Sequence, residues 1–179
     1  MPSIRFLRLF ESEIMIVSIR RILFPTDFSE PAAEAQNYAL TLADRLGAEL
    51  HLLHVVVPPG VAFPDADTSW TMPAAGAKGL VKDAEQHLSD LIGTWAEARR
   101  VISSVVTGFA VDEIVHYAEK HQIDLIVVGT HGLTGITHLL LGSVAEKLVR
   151  CAPCPVLTVH PTGHQFVLKS ATLAESIPA

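Results

Sequence analysis

The stretch GTHGLTGITHLLLGS, residues 129–143, holds four glycines and several hydroxyls where a strand end and a helix start are expected. A helix interior disfavours glycine by about 1 kcal/mol relative to alanine, so their concentration asks for a reason. Glycine lets the backbone turn through positive φ and approach a ligand without a Cβ in the way. Exposed N–H groups in such a loop, followed by a helix N-terminus, form a receptor for anions. Gly142 and Ser143 open a helix, so their N–H groups and the Ser143 hydroxyl are placed to meet one phosphate. Gly129 and Gly132 leave room beside the strand for a second group of the same ligand. The residues thus describe binding of a phosphate-bearing molecule; an ordinary loop-and-bulge use of the glycines is the alternative reading.

Other chemistries are weaker. No GxxxxGK[ST] occurs, and the turn Pro25-Thr26-Asp27-Phe28-Ser29 lacks GxGxxG, so neither the P-loop nor the usual dinucleotide fingerprint is present. Cys151 and Cys154 form a CxxC, but Cys151 falls at a helix C-terminus, where the dipole opposes a thiolate, and no second CxxC completes a zinc site. A packing role is expected for both. Nine histidines raise the question of a metal, yet there is no HExxH. His51 and His54 stand three apart on a strand and so face opposite sides of the sheet. No metal site is expected within the protein itself.

The elements that must position the loop are legible as an alternation of apolar runs and helical periodicities. Arg21–Pro25 reads as the first strand, and Ser29 as the cap of a helix with Pro31 in its first turn. Ala35, Tyr38, Ala39, Leu42, Ala43 and Leu46 give that helix one apolar face, and Gly47 ends it. Leu50–Val57 is a second strand, and residues 58–73 a long connection rich in proline and glycine. Val81, Ala84, Leu88, Leu91, Ile92 and Trp95 mark a second helix; Val101–Val106 a third strand; Val111, Ile114, Val115 and Ala118 a third helix. Leu125–Val128 is the most apolar strand, Val144, Ala145, Leu148 and Val149 are the inward face of a fourth helix, and Pro155–His160 is a fifth strand. The expected fold class is α/β: a single-domain open parallel five-stranded sheet, order 3-2-1-4-5, with helices on both faces. Strands one and four, buried on both faces, belong at its centre, and the topological switch between them is where such sheets bind ligands. Pro25-Thr26-Asp27 and the glycine stretch meet there.

With 49% apolar and 18% charged residues in 179, the chain has the composition of one folded domain. A net charge of −6 speaks against a nucleic-acid partner. No apolar run approaches the ~18 residues of a membrane span, and the N-terminal stretch has no unbroken apolar centre of a signal peptide; no membrane partner is expected. Two cysteines make no disulfide framework, which sets a cytoplasmic location as the expectation. Residues 1–15 are read as an extension, with Met15 a candidate native start, 16–161 as the domain and 162–179 as a C-terminal tail.

Residues 129–143 fit the G-x2-G-x9-G-[ST] motif, and with Ile22–Ser29, Leu53-His54-Val55, Asp124–Gly129 and Ala152–Leu157 the chain resembles the universal stress proteins, in the branch that binds ATP. The resemblance implies a Rossmann-like fold of the adenine nucleotide hydrolase-like kind, with ATP, AMP or ADP as ligand. It places adenine near Val55, assigns Asp27 a hydrogen-bonding role beside Pro25 and Thr26, and gives ribose and phosphates to the loop that follows Val128, with Gly129, Gly132 and, at the helix N-terminus, Gly142, Ser143 and Val144. Thr130 and His131 lie inside that loop, where contact with phosphate and simple exposure are both open readings. Mg²⁺ would enter through the phosphates, which need few protein ligands. No catalytic residue is assigned. Lys147 and Arg150 lie one and two turns along their helix, too far to serve phosphoryl transfer, so hydrolysis is expected to be slow or absent. The expected role is a nucleotide-dependent stress-response switch acting on a regulatory protein partner, as a homodimer through edge strand five. A slow ATPase or phosphotransferase, and a nucleotide-independent dimeric scaffold with thiol chemistry at Cys154, are the alternatives.

Overall fold

The computed structural model describes residues 17–57, 77–93, 95, 100–130 and 142–160. The expected extension, the 58–73 connection, the tail, His131 and Gly132 lie outside them. Five strands and four helices alternate: β1 Arg21–Pro25, α1 Glu30–Leu46, β2 Glu49–Val56, α2 Ala77–Gly93, β3 Val101–Thr107, α3 Ala110–Lys120, β4 Leu125–Gly129, α4 Ser143–Cys151 and β5 Val156–Val159. The strands form one parallel sheet in the order β3-β2-β1-β4-β5, as the sequence predicts.

Side-chain alternation divides the core in two. Ile22, Phe24, Leu50, Leu52, Leu125 and Val127 point to the face covered by α1 and α2. Leu23, Leu53, Ile126 and Val128 point to the face covered by α3 and α4. Burial on both faces explains the unbroken apolar runs of β1 and β4. On α1, Ala35, Ala39 and Ala43 are buried, small enough to let the helix lie close on the sheet.

The Ser29 hydroxyl accepts from the Ala32 N–H, and Gly47 ends α1 at φ 64°, a left-handed conformation suited to glycine. A Ser29→Ala chain is expected to lose about 1 kcal/mol of stability, read as a lower urea midpoint with unchanged slope.

Some expectations need correction. Leu46 is exposed rather than inward, because it is the last helical residue before the Gly47 cap and runs past the sheet. Val149 is exposed too: α4 lies at the end of the sheet, so only a narrow stripe led by Ala145 and Leu148 reaches the core. β2 begins and ends one residue earlier than predicted, since the Glu49 N–H already joins the ladder through the Arg20 carbonyl. β5 is shorter at both ends; Pro155 precedes it, contributing only a carbonyl to the Ile126 N–H.

On the α3 side, a polar chain interrupts the apolar packing. His51, 2% exposed, bonds Glu49 through Nε2 and the Tyr117 hydroxyl through Nδ1, each at 3.0 Å; that hydroxyl lies 3.3 Å from Ser104 Oγ. The His121 ring stacks on Tyr117 at 4.1 Å. Burial lowers the His51 pKa against the opposing pull of Glu49, and burial raises that of Tyr117.

Candidate nucleotide site at the switch point

The C-terminal ends of β1 and β4 lie side by side, and the chain leaves them toward opposite faces of the sheet. Between these departures is the crevice of a doubly wound fold. Its first wall is the turn from β1 to α1. The Thr26 N–H donates to the Leu53 carbonyl at 2.9 Å, and the Thr26 carbonyl accepts from His54 Nδ1 at 2.8 Å, so β2 holds the peptides on both sides of Thr26. Asp27 follows, with one carboxylate oxygen accepting from both the N–H and the hydroxyl of Ser29. Ser29 therefore caps α1 and orients Asp27 at once. Phe28 between them takes φ 61°, its N–H donating to Thr26 Oγ1, and its ring stacks on His54 at 4.5 Å between centroids.

The second wall is built from β4 and α4. The buried Thr130 donates its N–H to the Val159 carbonyl at 2.9 Å and accepts from the Gly142 N–H at 2.6 Å. The segment 131–141 thus leaves and re-enters the described structure at neighbouring points. Gly142 caps α4 in extended conformation with no side-chain cap, and its carbonyl accepts from the Glu146 N–H. The N–H groups of Ser143, Val144 and Ala145 have no acceptor within the helix, and they sit at the positive end of its dipole. Because the Gly142 N–H is engaged by Thr130, the amides at this end without an acceptor in the helix are those that follow it.

Of the residues predicted for the site, Pro25, Thr26 and Asp27 form the first wall, and Gly129, Thr130, Gly142, Ser143 and Val144 border the second. The Val128 side chain is buried in the α3–α4 core, and Val55 is half-buried against that same core. Ser29 and His54, which bond to Asp27 and Thr26 of this turn, carry no site role in the sequence reading. Ser29 in D-x-S could have been found from the local turn it makes with Asp27; the partner of His54 is 28 residues away along the chain and gives no local signal. The basic residues of α4 are exposed, and Arg150 pairs with Glu146 at 2.8 Å. Among the described residues, no group of three or more metal-ligating side chains comes together, and no helix is long and apolar enough to cross a membrane.

The cysteines take unlike positions. Cys151 is exposed, with its thiol against the Lys147 carbonyl, while Cys154 packs against the α3–α4 core. Burial first, and then the nearby Asp124 charge, raises the Cys154 pKa. At pH 8, a thiol reagent such as 5,5′-dithiobis(2-nitrobenzoate) is therefore expected to modify Cys151 before Cys154. Faster labelling of Cys154, read by peptide mass, would contradict this ordering.

A parallel sheet of this order, with a helix N-terminus opposite an acidic turn at its switch point, defines a Rossmann-like α/β protein. The chain belongs to the universal stress protein family, whose model matches residues 18–160. It is similar to universal stress protein MJ0531 of Methanocaldococcus jannaschii, 37% identical over 141 residues, covering 78% of this chain and 81% of the relative. Among solved structures, it resembles universal stress protein UspA from Lactobacillus plantarum (TM-score 0.64, 28% identity), covering 80% of this chain and 99% of that one. It also resembles a universal stress protein in complex with cAMP (TM-score 0.54, 27% identity), covering 81% and 99% respectively.

Proposed function

We propose that this chain binds an adenine nucleotide, ATP or its mono- or diphosphate, across the β1–β4 switch point. The observation that carries the reading is the pairing of two unlike walls. An oriented carboxylate at Asp27 offers acceptors to a sugar or base, and the amides that open α4 offer donors to phosphate. The cAMP complex of a structural relative supports the same ligand class. His131 and Gly132 complete the phosphate loop in this reading, Val55 flanks the base, and Mg²⁺ joins through the phosphates. The bound nucleotide then acts as a signal to a regulatory protein partner rather than as a substrate. The basic residues of α4, Lys147 and Arg150, lie one and two turns beyond its N-terminus, and Arg150 pairs with Glu146 away from it, which supports that view. Strand β5, which ends the sheet with half-buried Val156, Leu157 and Thr158, is the surface through which a homodimer forms.

Isothermal titration with ATP, AMP and GTP tests the proposal. One site per chain is expected for the adenine nucleotides, with weaker binding of GTP. Absence of binding in protein purified free of nucleotide would overturn it. Phosphate release followed over hours is expected to stay near the uncatalysed background, and sustained turnover would make the protein an ATPase.

A further inference from the structure

Along β2, the face turned to α1 and α2 carries Leu50, Leu52, His54 and Val56 in succession. An imidazole in such a row needs a reason, because a valine or leucine would pack there with no polar atom to satisfy. Among the described residues, the ring meets the β1–α1 turn at two points. Nδ1 lies 2.8 Å from the Thr26 carbonyl oxygen. A carbonyl only accepts, so Nδ1 carries the hydrogen, and in the neutral ring Nε2 is left as the acceptor. The ring plane lies over Phe28 at 4.5 Å and 28°, while His87 of α2 meets the same phenyl edge-on at 5.3 Å.

Phe28 is the residue that needs such support. At φ 61° it occupies a conformation that a bulky side chain enters only when its surroundings hold it there. Its neighbours on either side, Asp27 and Ser29, make the carboxylate-centred turn of the first wall. If Phe28 relaxed to negative φ, the peptides flanking Asp27 would rotate and the carboxylate would lose its fixed direction. His54 opposes this at two points, by tying down the carbonyl before Asp27 and by stacking on the ring after it.

We infer that His54 is a positioning residue of the nucleotide site, which clamps the Thr26–Phe28 turn so that Asp27 meets the ligand already oriented. The inference rests on the nucleotide-binding reading above. His54 touches no ligand in this role; it acts through Thr26 and Phe28.

Two measurements test it. In the wild-type chain, nitrogen-15 NMR of the imidazoles at pH 8 should show neutral His54 as the Nδ1–H tautomer. In a His54→Phe chain, which keeps an aromatic ring over Phe28 and loses the donor, ATP affinity should fall by about 3- to 10-fold, the equivalent of one neutral hydrogen bond. Amide exchange in that variant should accelerate at Phe28 and Ser29 while Leu23 and Phe24 in β1 stay protected, a pattern that general destabilisation would not give. An Nε2–H tautomer, or binding within twofold of wild type, overturns the inference. Should the variant fail to fold, the wild-type tautomer decides alone. A wild-type chain that binds no nucleotide overturns the underlying reading, and the tautomer and exchange results then still report whether the clamp exists.

Discussion

A Gly142→Val chain is expected to melt at the same temperature with and without ATP, whereas the parent gains roughly 5–10 °C at saturating nucleotide. At a ligand concentration one hundred times Kd, binding adds about 2.7 kcal/mol to the folded state, and for a chain of this length each kcal/mol moves Tm by about 2–4 °C. The substitution is a clean probe because Gly142 has φ −65° and ψ 151°, extended backbone open to any residue. The Gly142 N–H to Thr130 carbonyl bond uses main-chain atoms alone and is retained. Valine is a poorer helix cap than glycine, so unliganded Tm should drop by a small amount. What changes at the site is the isopropyl group, expected to stand in front of the amides of Ser143 and Val144. Equal ATP-induced shifts in the two proteins would remove the α4 N-terminus from the binding site.

The second large effect concerns stability and acid. The buried chain Glu49–His51–Tyr117–Ser104 has one consistent proton arrangement when His51 is neutral. Nε2–H donates to the carboxylate, Nδ1 accepts from the Tyr117 hydroxyl, and the Tyr117 oxygen accepts from Ser104. Burial is the largest influence and lowers the pKa; Glu49 favours the imidazolium, while His121 and Arg21 oppose it, and the balance is a lowered pKa. Because the folded-state pKa lies below the ordinary value of about 6.5, the unfolded chain binds more protons in the interval beneath that value. Stability contributed by His51 is therefore full above about pH 7, and is lost as pH falls through 6.5 toward the folded pKa. A His51→Leu chain should show a flatter stability profile between about pH 5 and 7 than wild type, measured by urea midpoints. Tyr117→Phe, which strands Nδ1 without its donor, should cost about 1–3 kcal/mol at pH 8. A wild-type profile as flat as that of His51→Leu would show that this imidazole does not titrate differently in the two states.

Both walls of the candidate site are legible in the sequence. The glycines at 129 and 142 and the Asp27 turn stand at strand ends, and strand order follows from which apolar runs tolerate burial on both faces. That order alone brings Pro25 and Gly129 to adjacent strands. Local signals were equally reliable at Ser29 and Gly47, where the cap chemistry is spelled within a few residues. The interactions that escaped are those between residues remote in sequence. His51 meets Tyr117 across 66 positions, and nothing in either neighbourhood marks them as partners. Phe28 at positive φ contradicts its own propensity, and rings from β2 and α2, remote in sequence, pack against it. Leu46 and Val149 obeyed the helical period and are exposed all the same, since a period locates a stripe but not how much of it the neighbouring layer covers.

The bond from Thr130 to Val159 ties the end of β4 to the last strand of the sheet. The main-chain bonds that hold the Asp27 turn against the sheet come from Leu53 and His54 of β2, early in the domain. The opposite wall is anchored by the last strand. A chain truncated before Val159 would keep the bonds of the Asp27 turn and lose the anchor of Thr130, so the two walls depend on opposite ends of the domain.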